Sequence, residues 1–80
     1  MAFQPRGRDV VIGGIPWLAR MIDKARAKAT DTIEDYIYPC PQDQKLLEKL
    51  GMTADEFLEI VTQSSSDDDI VEKVKPRYKD

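Results

Sequence analysis

Histidine is absent from this 80-residue chain, and cysteine and tryptophan each occur once. Without histidine the most common general base is missing, and a single thiol leaves no set of ligands for zinc or a redox metal. Neither a metal nor a cofactor is therefore expected, and no catalytic residue can be assigned. One cysteine also rules out an intramolecular disulfide. A secreted domain of this size would usually carry several, so a reducing cytoplasm is the expected compartment. Long apolar runs are lacking too. The most apolar stretch, residues 10–19, is broken by Gly13, Gly14 and Pro16, and it falls well short of the roughly 20 residues of a spanning helix. It has neither the unbroken centre nor the cleavage site of a signal peptide, so no membrane contact is expected.

What is present suits a small folded domain. The chain is 41% apolar and 34% charged, richer in apolar residues than a disordered segment. At this length only one core can form, burying roughly 60% of the surface that the unfolded chain exposes. Charge is uneven: residues 1–30 are basic and residues 31–80 acidic, within a net charge of −3. Such asymmetry steers partners without specifying a fold.

Four helices can be read from periodicity and capping. The first is "PWLARMIDKARAKA", opened by Pro16, with Leu18, Met21, Ile22, Ala25 and Ala29 on one buried stripe. Arg20, Lys24 and Lys28, spaced by four, then fall on a solvated face. Asp31 and Glu34 have capping-box spacing and predict a further short turn around Ile33. Pro41 opens a second helix closed by Gly51, with Leu46, Leu47 and Leu50 as its core face. Thr53 and Glu56 cap a third, burying Ala54, Phe57, Leu58 and Val61. Ser66 and Asp69 begin a fourth, with Ile70, Val71 and Val74 apolar, which Pro76 ends. The expected fold is an all-α bundle of four short helices. An extended segment (1–12) precedes the helical domain (13–75), and a frayed polar tail (76–80) follows it. Trp17 and Tyr36 are expected at the core's edge.

Three surfaces could carry function. Cys40 sits between Pro39 and Pro41, at the N-cap of the second helix, where the dipole favours a thiolate and a reactive or redox thiol could arise. Asp43 in the same turn opposes that, and a small buried side chain is the favoured reading. Arg20, Lys24, Arg26 and Lys28, with Arg6 and Arg8 upstream, could contact a protein partner or phosphates, with Asp23 interrupting the patch and able to pair along the helix with Arg20 or Arg26. The pair of helices around Gly51 resembles a helix-turn-helix in outline. Its second helix carries Asp55, Glu56 and Glu59 and no Lys or Arg, which argues against DNA reading. "SSSDDD" lacks the alternation of a calcium loop, and "IGGIP" reads as a turn into the first helix.

Together, "RMIDKARAK", "YIYPCPQDQ", "LGMTADEFLEIV" and "SSSDDDIVEKV" resemble the bacterial domain of unknown function 5069 family. The resemblance implies a small, mainly helical cytoplasmic bacterial protein. It places Asp23, Lys24, Arg26, Cys40, Pro41 and Asp43 in the family's signature segments, and it implies no reaction. The departures are Gln42, where an apolar residue is expected, and the absence of glycine from residues 30–33. The favoured function is a non-enzymatic protein-interaction module, with weak nucleic-acid association through the first helix and a reactive thiol at Cys40 as the alternatives.

Overall fold

The structure is a computed structural model, and it describes residues 3–79. It begins with a hairpin that the sequence reading lacked. Strands β1 (Val11–Ile12) and β2 (Ile15–Pro16) are antiparallel, pairing Val11 with Pro16 and Ile12 with Ile15. Gly13 and Gly14 form the two-residue loop with φ of 58° and 75°, the double left-handed conformation that a tight hairpin turn demands. A Cβ at Gly13 would lie 2.5 Å from Val71 Cγ1, so the turn also needs glycine in order to lie against the last helix. The architecture is thus four helices plus a small hairpin, and the all-α expectation is corrected to that extent.

Helix α1 (Leu18–Ala29) begins two residues later than expected, because Pro16 belongs to the hairpin. Trp17 makes the reversal from strand to helix with φ 73°, and its carbonyl accepts the first helical bond from Met21 N–H at 3.0 Å. A left-handed non-glycine residue costs about 1–3 kcal/mol, which surrounding contacts must offset. Leu18, Met21, Ile22 and Ala25 are buried as expected, whereas Ala29 is exposed and Ala27 is buried.

The expected short turn around Ile33 is a single non-helical turn, in which Tyr36 N–H donates to Ile33 O at 3.2 Å. Asp31 caps the end of α1 rather than the start of a new helix: its φ is 58°, Asp31 N–H donates to Lys28 O, and Thr32 N–H donates to Ala27 O at 2.7 Å. This is a Schellman closure with aspartate in the usual glycine position. Gly51 closes α2 (Pro41–Leu50) through the same pair of bonds, to Glu48 O and from Met52 N–H to Leu47 O. Glu34 is also left-handed, with φ 56°, and its carboxylate accepts from Phe3 N–H. Residues 30–40 therefore form an irregular connector.

Helix α3 (Ala54–Gln63) has the expected reciprocal box, with Glu56 N–H donating to Thr53 Oγ1 and Thr53 N–H to the Glu56 carboxylate. Helix α4 (Asp67–Val74) has Ser66 as its N-cap and three aspartates in its first turn, where the helix dipole favours negative charge. A short 3₁₀ turn, Lys75–Arg77, follows. Of the tail, Asp80 lies outside the described residues, and the rest is docked rather than frayed: Lys79 N–H donates to Lys49 O at 2.8 Å and Arg77 Nη2 to Gly51 O.

The core joins α1 to α3 and closes with Ile15, Leu46, Leu47, Leu50, Phe57, Val61, Ile70 and Val74. Tyr38 and Met52 are buried in it as well, while Leu58 and Val71, expected inside, are only partly buried at its edge. Trp17 and Tyr36 are half-buried, as expected. Among the described residues no helix is long and apolar enough to cross a membrane.

Candidate functional site

The connector and the start of α2 build the most polar interior of the molecule. Residues 38–41 pass beside α1, with a cis bond between Tyr38 and Pro39, and Cys40 is the extended N-cap residue of α2. Three residues on, Asp43 points inward and is fully buried. A bare carboxylate there would be prohibitively costly, so its oxygens must be satisfied. They are. Lys24 Nζ lies 2.7 Å from Oδ2, Cys40 N–H donates to the same oxygen at 3.0 Å, and Trp17 Nε1–H donates to Oδ1 at 2.7 Å.

Lys24 is the reciprocal surprise. Read as solvated, it is only 3% exposed, because its helical position faces the start of α2 rather than water. Its ammonium also lies 3.2 Å from Cys40 Sγ and 5.9 Å from the centre of the Trp17 ring. The positive charge nearest the thiol is thus already matched by a carboxylate. Cys40 itself is partly exposed.

The other expected contact residues disperse. Arg20 lies over both the Trp17 and Tyr36 rings, 5.6 Å from each centre, and donates from Nη1 to Arg6 O at 3.1 Å. Arg26 is drawn to α4, with Nη2 3.0 Å from Asp67 Oδ1. Lys28 is exposed. Asp23 pairs with neither Arg20 nor Arg26, as the helical spacing suggested, but with Arg6, which grips it through Nε at 2.9 Å and Nη2 at 3.0 Å. Arg6 Nη1 reaches Asp67 Oδ2 at 2.9 Å. The bond to Asp23, with Asp67 adding to it, holds the Arg6 guanidinium above its ordinary pKa. These groups fasten the N-terminal segment and α4 to one flank of α1.

Residues 3–79 match the family described as Domain of unknown function (DUF5069). The chain belongs to that family. A search of curated proteins gave no match. In this DUF5069 domain the six residues that the resemblance marked fall into the two arrangements just described. Lys24, Cys40 and Asp43 meet at the junction beside the start of α2, which Pro41 opens, while Asp23 and Arg26 belong to the flank.

Sequence reasoning missed the surface beside that junction. A concavity of about 320 Å³ is lined by Arg8, Trp17, Arg20, Tyr36, Ile37 and Cys40, with Lys24, Asp35 and Gln42 completing it. Ile37 is 67% exposed, a large apolar side chain left in water between two tyrosines. The signal was present in "YIY", but an exposed apolar residue cannot be told from a buried one without the fold. A larger open groove of about 710 Å³ runs along α2 and the start of α3, lined by Leu47, Met52, Ala54 and the rim acids Glu48 and Glu56. It includes neither the junction residues nor an aromatic ring.

Proposed function

We propose that this domain is a non-enzymatic protein-interaction module of the bacterial cytoplasm, and that its contact surface is the face formed by Trp17, Arg20, Tyr36 and Ile37. One observation carries the reading: Ile37 is 67% exposed at the mouth of a concavity walled by tryptophan, tyrosine and arginine. These three residue types dominate the binding energy of protein interfaces, and an apolar side chain among them gains by being covered. The Asp43 junction supports the surface by holding the Trp17 indole in one orientation, so that little side-chain freedom is lost on binding. The single cysteine fits a reducing compartment.

The dispersal of Arg20, Lys24, Arg26 and Lys28 weakens the nucleic-acid alternative, since phosphate binding draws on several unpaired cations side by side. The thiol alternative has Cys40 beside Lys24, but the chain holds no second cysteine to resolve an oxidised form.

The test is co-purification of tagged protein from its host lysate after nuclease treatment, with Ile37→Asp as the paired variant. Defined proteins retained by the wild type and lost by Ile37→Asp are expected. Saturable retention that Ile37→Asp leaves unchanged, or no retention at all, would sink this reading.

A further inference from the structure

The charges on the face formed by Trp17, Arg20, Tyr36 and Ile37 bear on what it takes. Arg20 has five N–H donors, and among the described residues only one is used in a protein hydrogen bond, by Arg6 O. Its guanidinium is nonetheless set in place by the two rings it lies over. Arg8 lines the same concavity, is exposed, and has no ion pair or hydrogen bond among the described residues. Lys24 adds no free charge, because Asp43 matches it. Two arginines that have no ion pair among the described residues therefore line the concavity with one carboxylate, Asp35, on a chain whose net charge is −3. On an acidic molecule this is a local positive site with an apolar residue at its mouth.

Resting on the interaction reading above, we infer that the occupant is a peptide segment carrying a carboxylate beside a large apolar side chain. The carboxylate is held by Arg20 and Arg8, and the apolar side chain covers Ile37 and the Trp17 ring. Arginine's planar fork matches a carboxylate through two parallel bonds, and a guanidinium already stacked on aromatic faces loses little freedom in making them. A nucleic-acid strand fits less well. It would bring a row of phosphates to two cations with Asp35 among them, and it would leave Ile37 uncovered.

Trp17 is the only tryptophan and lines the site, so its emission reports occupancy directly. The experiment selects a displayed library of random octapeptides on the immobilised full chain. The best sequence, synthesised with capped ends, is then titrated against wild type, Arg8→Gln, Arg20→Gln and Ile37→Asp while Trp17 emission is followed. Arg8 and Ile37 are exposed, so at least these two variants keep the fold. The expected result is an enriched peptide with Asp or Glu adjoining a large apolar residue. Its affinity should fall at least about tenfold in each arginine variant, and equally when its own acid is replaced by the amide.

Binding that is lost in Ile37→Asp but indifferent to both arginine variants and to the peptide's acid would overturn the carboxylate assignment while leaving the surface reading intact. No enrichment, or binding that Ile37→Asp leaves unchanged, would overturn both. A capped oligothymidine that shifts Trp17 emission at lower concentration than the best peptide would overturn the inference in favour of nucleic acid.

Discussion

Asp23 and Lys24 are neighbours in sequence, and each joins α1 to another part of the chain through an ion pair, yet the two pairs differ in kind. The Lys24–Asp43 pair is dry, with both side chains almost wholly shielded, whereas Arg6, Asp23, Arg26 and Asp67 retain a fifth to two-fifths of their side-chain exposure. Exposed pairs gain little because water and salt screen them. A buried pair sets a large attraction against a large desolvation cost, and losing one member strands the other. One step along a helix, about 100° of rotation, thus separates a contact that the fold cannot lose from one that it can.

Breaking the dry pair should have the largest effect. Asp43→Ala leaves Lys24 buried without a counter-charge, at a cost of about 3–5 kcal/mol. A domain of this length has only about 4–12 kcal/mol in total, so urea denaturation should show the variant losing about a quarter of its stability at the least, and unfolded without denaturant at the low end of that range. Replacing both partners sharpens the point. Lys24→Met with Asp43→Leu should recover part of the loss, since an apolar pair needs no compensation. Recovery should stay incomplete because Trp17 Nε1–H and Cys40 N–H lose their acceptor. A double variant no more stable than Asp43→Ala would show that the carboxylate, rather than the pairing, is what the junction needs.

Tyr38 lies on the dry side and comes next. Its hydroxyl donates to Ala54 O at 2.8 Å, so Tyr38→Phe should cost about 1 kcal/mol at neutral pH. Burial, then the Asp43 and Asp55 carboxylates, push its phenol well above the ordinary 10.0. Above pH 10 the unfolded chain has released this proton while the folded chain still holds it. Stability contributed by the tyrosine is therefore complete below pH 10 and falls as pH rises beyond it. Denaturation curves of wild type and Tyr38→Phe should converge over that range, and a constant gap would contradict the shift.

The smallest effect belongs to the wet side. Arg6→Gln should cost about 0.2–1 kcal/mol, and the difference from wild type should shrink further as salt is raised from 0.05 to about 1 M. A salt-independent loss above that range would mean that the flank behaves like the dry junction.

The helices were legible in the sequence because caps and periodicity are local. Thr53 with Glu56, Pro41 and Gly51, and Ser66 with Asp69 each fall where the structure starts or stops an element. The hairpin was not, since strands of two residues carry no alternation to read. Asp31 illustrates a different failure: an aspartate followed three residues later by glutamate signals a helix start, but a left-handed φ turns the same residue into a helix end. Lys24 was misplaced because its partner lies far along the chain in α2, and the spacing with Arg20 and Lys28 suggested a common face. Ile37 could be seen as a letter but not as an exposed surface.

Gly13 lies against Val71, and Arg6 grips Asp67, which is 61 positions further along the chain. The hairpin and the N-terminal segment can make these contacts only once α4 is in place. Loops of this span close only after both ends exist. A chain cut after Ser66 should remain open to protease where the whole chain resists, and protection of the shorter chain would refute this order of events. Gly13 and Arg6 thus reach their partners only when α4 docks, so one short helix locks a hairpin and an extended segment distant from it in sequence.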